Sequence, residues 1–121
     1  MLRLKLSTGL VLAALIAALG AASIAFAHPQ AATSTTVKVK ATDFHFALST
    51  KTAHHGIVIF KLTNKGHTKH DFKIAGKKTP LIPAKREATL IVTFTKKGSY
   101  PYLCTVPGHA AAGMKGVFRV F

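Results

Sequence analysis

The chain has 121 residues, 17 of them Lys or Arg against three acidic residues, for a formal net charge of +14, and 49% of its residues are hydrophobic. That length accommodates one domain with a modest core, and the single cysteine, Cys104, excludes an internal disulfide. The lysines are spread along the chain and not interleaved with aromatics in one patch, which speaks against nucleic acid and fits an acidic protein face or an anionic membrane or cell surface.

Arg3 and Lys5 open the chain, Leu10 to Leu19 is almost wholly apolar, and Ala25-Phe26-Ala27 has the small-x-small pattern at which secretory signals are cut. Residues 1–27 therefore read as a signal peptide. The uncharged run from Ser7 to Ala27 is also long enough to cross a bilayer, so an uncleaved anchor stays open. Either way the basic flank remains inside and the domain is delivered outside the cytoplasm, to the periplasm or the cell exterior. Loss of Arg3 and Lys5 with the leader lowers the formal charge from +14 to +12.

Residues 28–35 are Ala, Ser and Thr rich and read as a linker, with one domain over 36–121. Val37 and Val39 alternate with Lys38 and Lys40, Phe44 and Phe46 with Asp43 and His45, and Leu90, Val92 and Phe94 share one side of a later run, the period-two signature of half-buried strands. Ile57 to Leu62 is nearly continuous β-branched and aromatic, as in a more central strand. Further strands are predicted at about His70–Ile74, Ser99–Cys104 and Gly116–Phe121. Turn chemistry separates these runs at Asn64-Lys65-Gly66, Ala75-Gly76-Lys77-Lys78, Lys96-Lys97-Gly98 and Pro107-Gly108. The segment from Ala75 to Arg86, with Pro80 and Pro83, reads as a longer connection with room for a helical turn. Pro101 requires a free backbone edge or a bulge in its strand. Short strands, tight turns and one core predict an all-β fold, a Greek-key β-sandwich of about eight strands.

The chemistry concentrates near the C-terminal end. Cys104, His109 and Met114 follow one another with the spacing C-x4-H-x4-M on a single loop. A thiolate, an imidazole and a thioether suit copper, and a second histidine, for which His70 is the candidate, completes a trigonal His₂Cys site with a weak axial Met. Taken singly, each of these residues is commonly structural; their order and spacing carry the reading. Coordination also explains how an exported protein keeps one unpaired thiol in an oxidising compartment.

The run Gly98-Ser99-Tyr100-Pro101-Tyr102-Leu103-Cys104, then Thr105-Val106-Pro107-Gly108-His109, then Gly113-Met114-Lys115-Gly116, resembles the copper loop of the cupredoxins, the plastocyanin and azurin family of small blue copper proteins. Asn64-Lys65-Gly66-His67-Thr68-Lys69-His70-Asp71-Phe72 resembles that family's first ligand segment. The resemblance implies an eight-stranded Greek-key sandwich with one type 1 copper ion cycling between Cu(I) and Cu(II), liganded by His70, Cys104, His109 and Met114. It also implies that Asp71 and Thr105 link the two ligand segments.

A protein of this kind carries single electrons between redox partners, and the basic surface points to an acidic one, a cytochrome or a copper enzyme, met by a monomer. The alternative is an extracytoplasmic carrier or buffer that delivers copper. Catalysis is not expected, because four protein ligands leave no position for a substrate. Tyr100 and Tyr102 share a face with Cys104 and are expected to pack beneath it. Of the other histidines, His67 and His45 read as solvated, His54-His55 as a loop pair, and His28 as the mature N-terminus.

Overall fold

The computed structural model describes residues 20–121. The start of the signal segment, residues 1–19, lies outside them. Residues 20–33 are exposed and carry no regular secondary structure. Among the described residues no helix is long and apolar enough to cross a membrane.

Nine strands are present among the described residues: β1 (Ser34–Thr42), β2 (His45–Leu48), β3 (Thr52–Ala53), β4 (Gly56–Asn64), β5 (Lys73–Ile74), β6 (Lys77–Lys78), β7 (Glu87–Phe94), β8 (Gly98–Leu103) and β9 (Lys115–Val120). They form two sheets, ordered β2-β1-β4-β7 and β3-β9-β8-β5-β6, so the chain crosses between sheets as a Greek-key sandwich does. β1 opens at Ser34, within the stretch read as linker. β4 is internal, flanked by β1 in parallel and β7 in antiparallel register, which accounts for its near-continuous apolar sequence.

The alternating residues do what their period requires. Val37, Val39, Ala41, Val58, Phe60, Leu62, Val92 and Phe94 of the first sheet are buried against Tyr102, Phe118 and Val120 of the second. Phe60 sits at the centre, with ring centroids 5.2 Å from Phe72 and 5.3 Å from Phe118. Tyr102 stacks on Phe72 at 5.3 Å and is buried in the same core as Cys104. Tyr100 is only partly buried and donates its hydroxyl to the Lys96 carbonyl at 2.7 Å.

Three details depart from the period-two reading, each for a local reason. The β1–β2 register pairs Thr42 with His45, which makes Asp43 and Phe44 the two residues of a tight turn; Phe44 is therefore not a core partner of Phe46 but 40% exposed. The predicted strand over His70–Ile74 shrinks to Lys73–Ile74 preceded by a single bridge between His70 and Ile82. Its polar groups are engaged elsewhere, for Phe72 N–H donates to Thr79 Oγ1 and the Asp71 carboxylate turns toward Thr105. The connection after Ala75 holds a hairpin in place of a helical turn: Ala75 and Gly76, both with positive φ, join β5 to β6 as a two-residue loop. Pro101 is accommodated because β5 pairs with β8 only at Tyr102 and Leu103, which leaves the proline's edge free on that side.

Gly116, two residues after Met114, is the second residue of β9 and pairs with Tyr102 of β8. A Cβ at this position would collide with the Tyr102 hydroxyl and Cζ and stand 2.9 Å from Cε2. Gly116→Ala is expected to destabilise the domain by about 1–3 kcal/mol through overpacking. A denaturant midpoint equal to that of the parent chain would contradict this packing.

Candidate metal centre

Two chain segments meet at the end of the sandwich where β4 and β8 finish. Leaving β4, the chain turns through Asn64, whose side chain donates to the carbonyls of Thr68 and Ile82, both at 2.8 Å, and accepts from Gly66 N–H at 2.9 Å. That one buried amide sets the shape of the 65–69 loop and delivers His70, which is then fixed by reciprocal backbone bonds with Ile82. Leaving β8, the chain passes Cys104 into a loop closed at its base by Cys104 N–H donating to the Met114 carbonyl at 3.0 Å. Met114 N–H donates to the His109 carbonyl at 3.0 Å, and His109 N–H to that of Val106 at 3.1 Å. Gly108 and Gly113, both with positive φ, let the chain turn tightly on either side of His109.

The two segments are tied directly. Thr105 N–H donates to Asp71 Oδ1 at 2.6 Å, and the Thr105 hydroxyl donates to Asp71 Oδ2. Asp71 is buried, and its further partner is Lys78 Nζ at 3.8 Å. The link expected between residues adjacent to His70 and Cys104 is thus present, with an ionisable residue as the acceptor.

These constraints bring three donors together. His70 Nδ1 lies 3.1 Å from His109 Nδ1, and Cys104 Sγ lies 3.6 Å from His109 Nδ1 and 4.0 Å from His70 Nδ1. A point equidistant from the three atoms is about 2.1 Å from each, close to the lengths of about 2.0–2.3 Å typical of metal–nitrogen and metal–sulfur bonds. His70 and Cys104 are buried, as is Met114, which the backbone bonds above bring to the same end; His109 is half-buried. Two imidazoles, one thiol and an adjacent thioether form a donor set that fits copper.

Electrostatics at the thiol oppose one another. Burial pushes the Cys104 thiol above its ordinary range, while backbone hydrogen bonds from Asp71 and Val106 pull it down. Those N–H groups would stabilise the thiolate that ligation requires.

Two residues at this end carry no ligand signature in the sequence. Asp43 places Oδ1 2.9 Å from His70 Nε2, and Phe44 packs edge-on against the His109 ring with centroids 4.7 Å apart. The one available signal was scarcity, since Asp43 is one of three acidic residues in the chain. His67 is exposed, as expected of a solvated residue, although its Nδ1 lies 3.2 Å from Asp43 Oδ2. His54 packs edge-on against Phe121 with centroids 4.6 Å apart and His55 adjoins it, both before the start of β4 and so at the opposite end from the site. His45 and His28 are exposed, and neither is among the converging donors.

The sequence of residues 22–121 matches the family of copper-binding proteins described as plastocyanin/azurin. Among solved structures, the chain is similar to a reduced auracyanin from the photosynthetic bacterium Roseiflexus castenholzii, with a TM-score of 0.64 and 22% identity over 72% of this chain and 97% of that one. It is also similar to auracyanin A, a "blue" copper protein of the green thermophilic bacterium Chloroflexus aurantiacus, with a TM-score of 0.57 and 15% identity over 74% of this chain and 100% of that one. A multi-copper oxidase from Pediococcus acidilactici shares the fold with a TM-score of 0.58 and 17% identity, over 81% of this chain but 28% of the oxidase. At these identities the structural likenesses establish the sandwich alone. No curated protein sequence matches the chain. The family match spans the whole sandwich with both ligand segments, and by it this chain belongs to the plastocyanin/azurin family of copper-binding proteins.

Proposed function

We propose that this chain is an exported type 1 copper protein that carries single electrons between redox partners, with His70, Cys104, His109 and Met114 as its ligands. The observation that carries the reading is the buried convergence of two imidazole nitrogens and one sulfur within 4.0 Å, on segments stapled together by backbone and carboxylate bonds. Copper, when bound, supplies a one-electron couple between Cu(I) and Cu(II). The chain's part is to keep the donors nearly still through that change. His70 is held by its bridge to Ile82, Cys104 by the Met114 carbonyl, and His109 by bonds at both its N–H and its C=O. Few groups are left free to rearrange, which keeps the reorganisation on electron transfer small.

Access is through His109. Around it Val106 is partly exposed, Pro107, Gly108, Ala111 and Ala112 are exposed, and Phe44 is 40% exposed. This uncharged rim allows a partner to come close to the ring, while Lys69 and Lys115 flank the ligands in sequence and are exposed. The proposed partner is an acidic redox protein, steered by a surface that carries +12 beyond the leader. A copper-delivering carrier is less well supported, because transfer by ligand exchange needs reachable donors and three of the four are buried. A catalytic role would need an open coordination position, which four protein donors do not leave.

Cys104→Ala is expected to abolish thiolate-to-copper charge transfer and most copper affinity while the sandwich still folds, since its core comes from strand residues such as Val39, Phe60 and Phe94. A blue spectrum retained in that variant would overturn the ligand assignment. Met114→Leu should keep copper and raise the reduction potential, and Met114→Gln should lower it, because an axial ligand tunes more than it holds. Loss of copper in Met114→Leu would favour the carrier.

The rate of electron transfer to an acidic partner should fall as salt rises, with screening over about 10 Å at 0.1 M. Lys69→Glu or Lys115→Glu should slow it by about two- to tenfold at low salt, more than Lys51→Glu does. A rate flat with salt would mean that the basic surface serves another purpose, such as attachment to an anionic membrane or wall polymer.

A further inference from the structure

Both residues of the two-residue β1–β2 turn end on a histidine of the metal centre, Phe44 on His109 and Asp43 on His70. The Asp43 contact has the more definite chemical consequence. An ionised carboxylate can only accept, so the 2.9 Å contact to His70 Nε2 requires the ring proton on Nε2. The neutral imidazole then has its lone pair on Nδ1, the atom that faces Cys104 and His109.

The carboxylate is itself fixed from several sides. It accepts from His67 N–H at 2.9 Å through Oδ2, from Thr68 N–H at 3.4 Å and from the Thr68 hydroxyl at 3.2 Å through Oδ1. Room for the contact comes from Gly66. A Cβ there would collide with Asp43 Oδ1 and stand 2.9 Å from His70 Nε2. The loop thus leaves a gap where the carboxylate meets the ring.

We propose that Asp43 is a positioning residue of the copper centre, which sets His70 with Nδ1 toward the metal and whose charge favours Cu(II) over Cu(I). This rests on the copper assignment of the preceding subsection. The charge acts through two routes: a carboxylate on the far nitrogen raises the basicity of the ligating one, and the oxidised ion carries one more positive charge for it to stabilise. Among the described residues no other negatively charged side chain approaches the far side of either ligating ring.

Asp43→Asn keeps the shape and an acceptor oxygen but removes the charge. Copper-loaded Asp43→Asn should stay blue and show a higher reduction potential. The Asp43 side chain is about a quarter exposed, so solvent screening places the change near the lower end of the range for such outer partners, about tenfold in the Cu(II)-to-Cu(I) affinity ratio, or about 59 mV for one electron. Nitrogen-15 NMR of the metal-free parent chain should place the His70 ring proton on Nε2, and Asp43→Ala should lose that preference. An unchanged potential in Asp43→Asn overturns the proposal, and so does a parent His70 protonated on Nδ1. If Asp43→Asn does not fold, the NMR of the parent chain decides. A parent chain that binds copper without a blue spectrum refutes the type 1 assignment instead, and the tautomer measurement still decides whether Asp43 sets the ring.

Discussion

Two imidazole nitrogens and a sulfur facing one another across 3.1–4.0 Å, in a space largely closed to water, form an arrangement that side chains do not adopt unaided. Each polar atom gives up hydration on entering this space, so the convergence has to be imposed from outside. Here it is imposed by backbone bonds together with two buried side chains, Asp71 and Asn64. His70 is bracketed by the Ile82 bridge, Cys104 by the Met114 carbonyl, and the two ligand segments by the Asp71 carboxylate on Thr105. The Asn64 amide does the same for the loop that leads to His70. A site built this way has its geometry before the metal arrives, which is the property an electron carrier needs.

The sandwich supplies the foundation for those bonds. β4 and β8 lie in different sheets, and the aromatic core of Phe60, Phe72, Tyr102 and Phe118 fixes one sheet against the other. The donors are placed where both strands end, so any slip in register would carry a ligand out of reach. Charge follows the same plan. The chain is strongly basic, yet two of its three acidic side chains, Asp43 and Asp71, are directed at the ligand segments. The cationic surface and the anionic interior of the site are separate features, one suited to meeting a partner and the other to holding the donors.

Much of this was legible in the sequence where the signal was periodic or local. Alternation at Val37–Val39 and at Val92–Phe94, and the apolar run of β4, correctly placed strands and core, and C-x4-H-x4-M placed three donors on one loop because the loop is contiguous. His70 was the candidate for the second histidine that the donor set requires, and the resemblance to a family segment supported it, since nothing in spacing alone links it to a cysteine 34 residues away. Phe44 was misplaced because a two-residue turn interrupts the alternation without any glycine or proline to mark it. The strand at His70–Ile74 was overextended because side chains of Asn64, Asp71 and Thr79 take over the bonds a ladder would have made. Asp43 was invisible as a partner of His70 because their contact joins residues 27 apart through tertiary structure alone.

The most direct test is the visible absorption spectrum of the full-length chain loaded with one equivalent of Cu(II). The account predicts an intense blue thiolate-to-copper charge-transfer band, bleached by a reductant and restored on reoxidation. A bound Cu(II) ion with only the weak absorption of nitrogen and oxygen ligation would contradict it, because Cys104 would then not be a ligand.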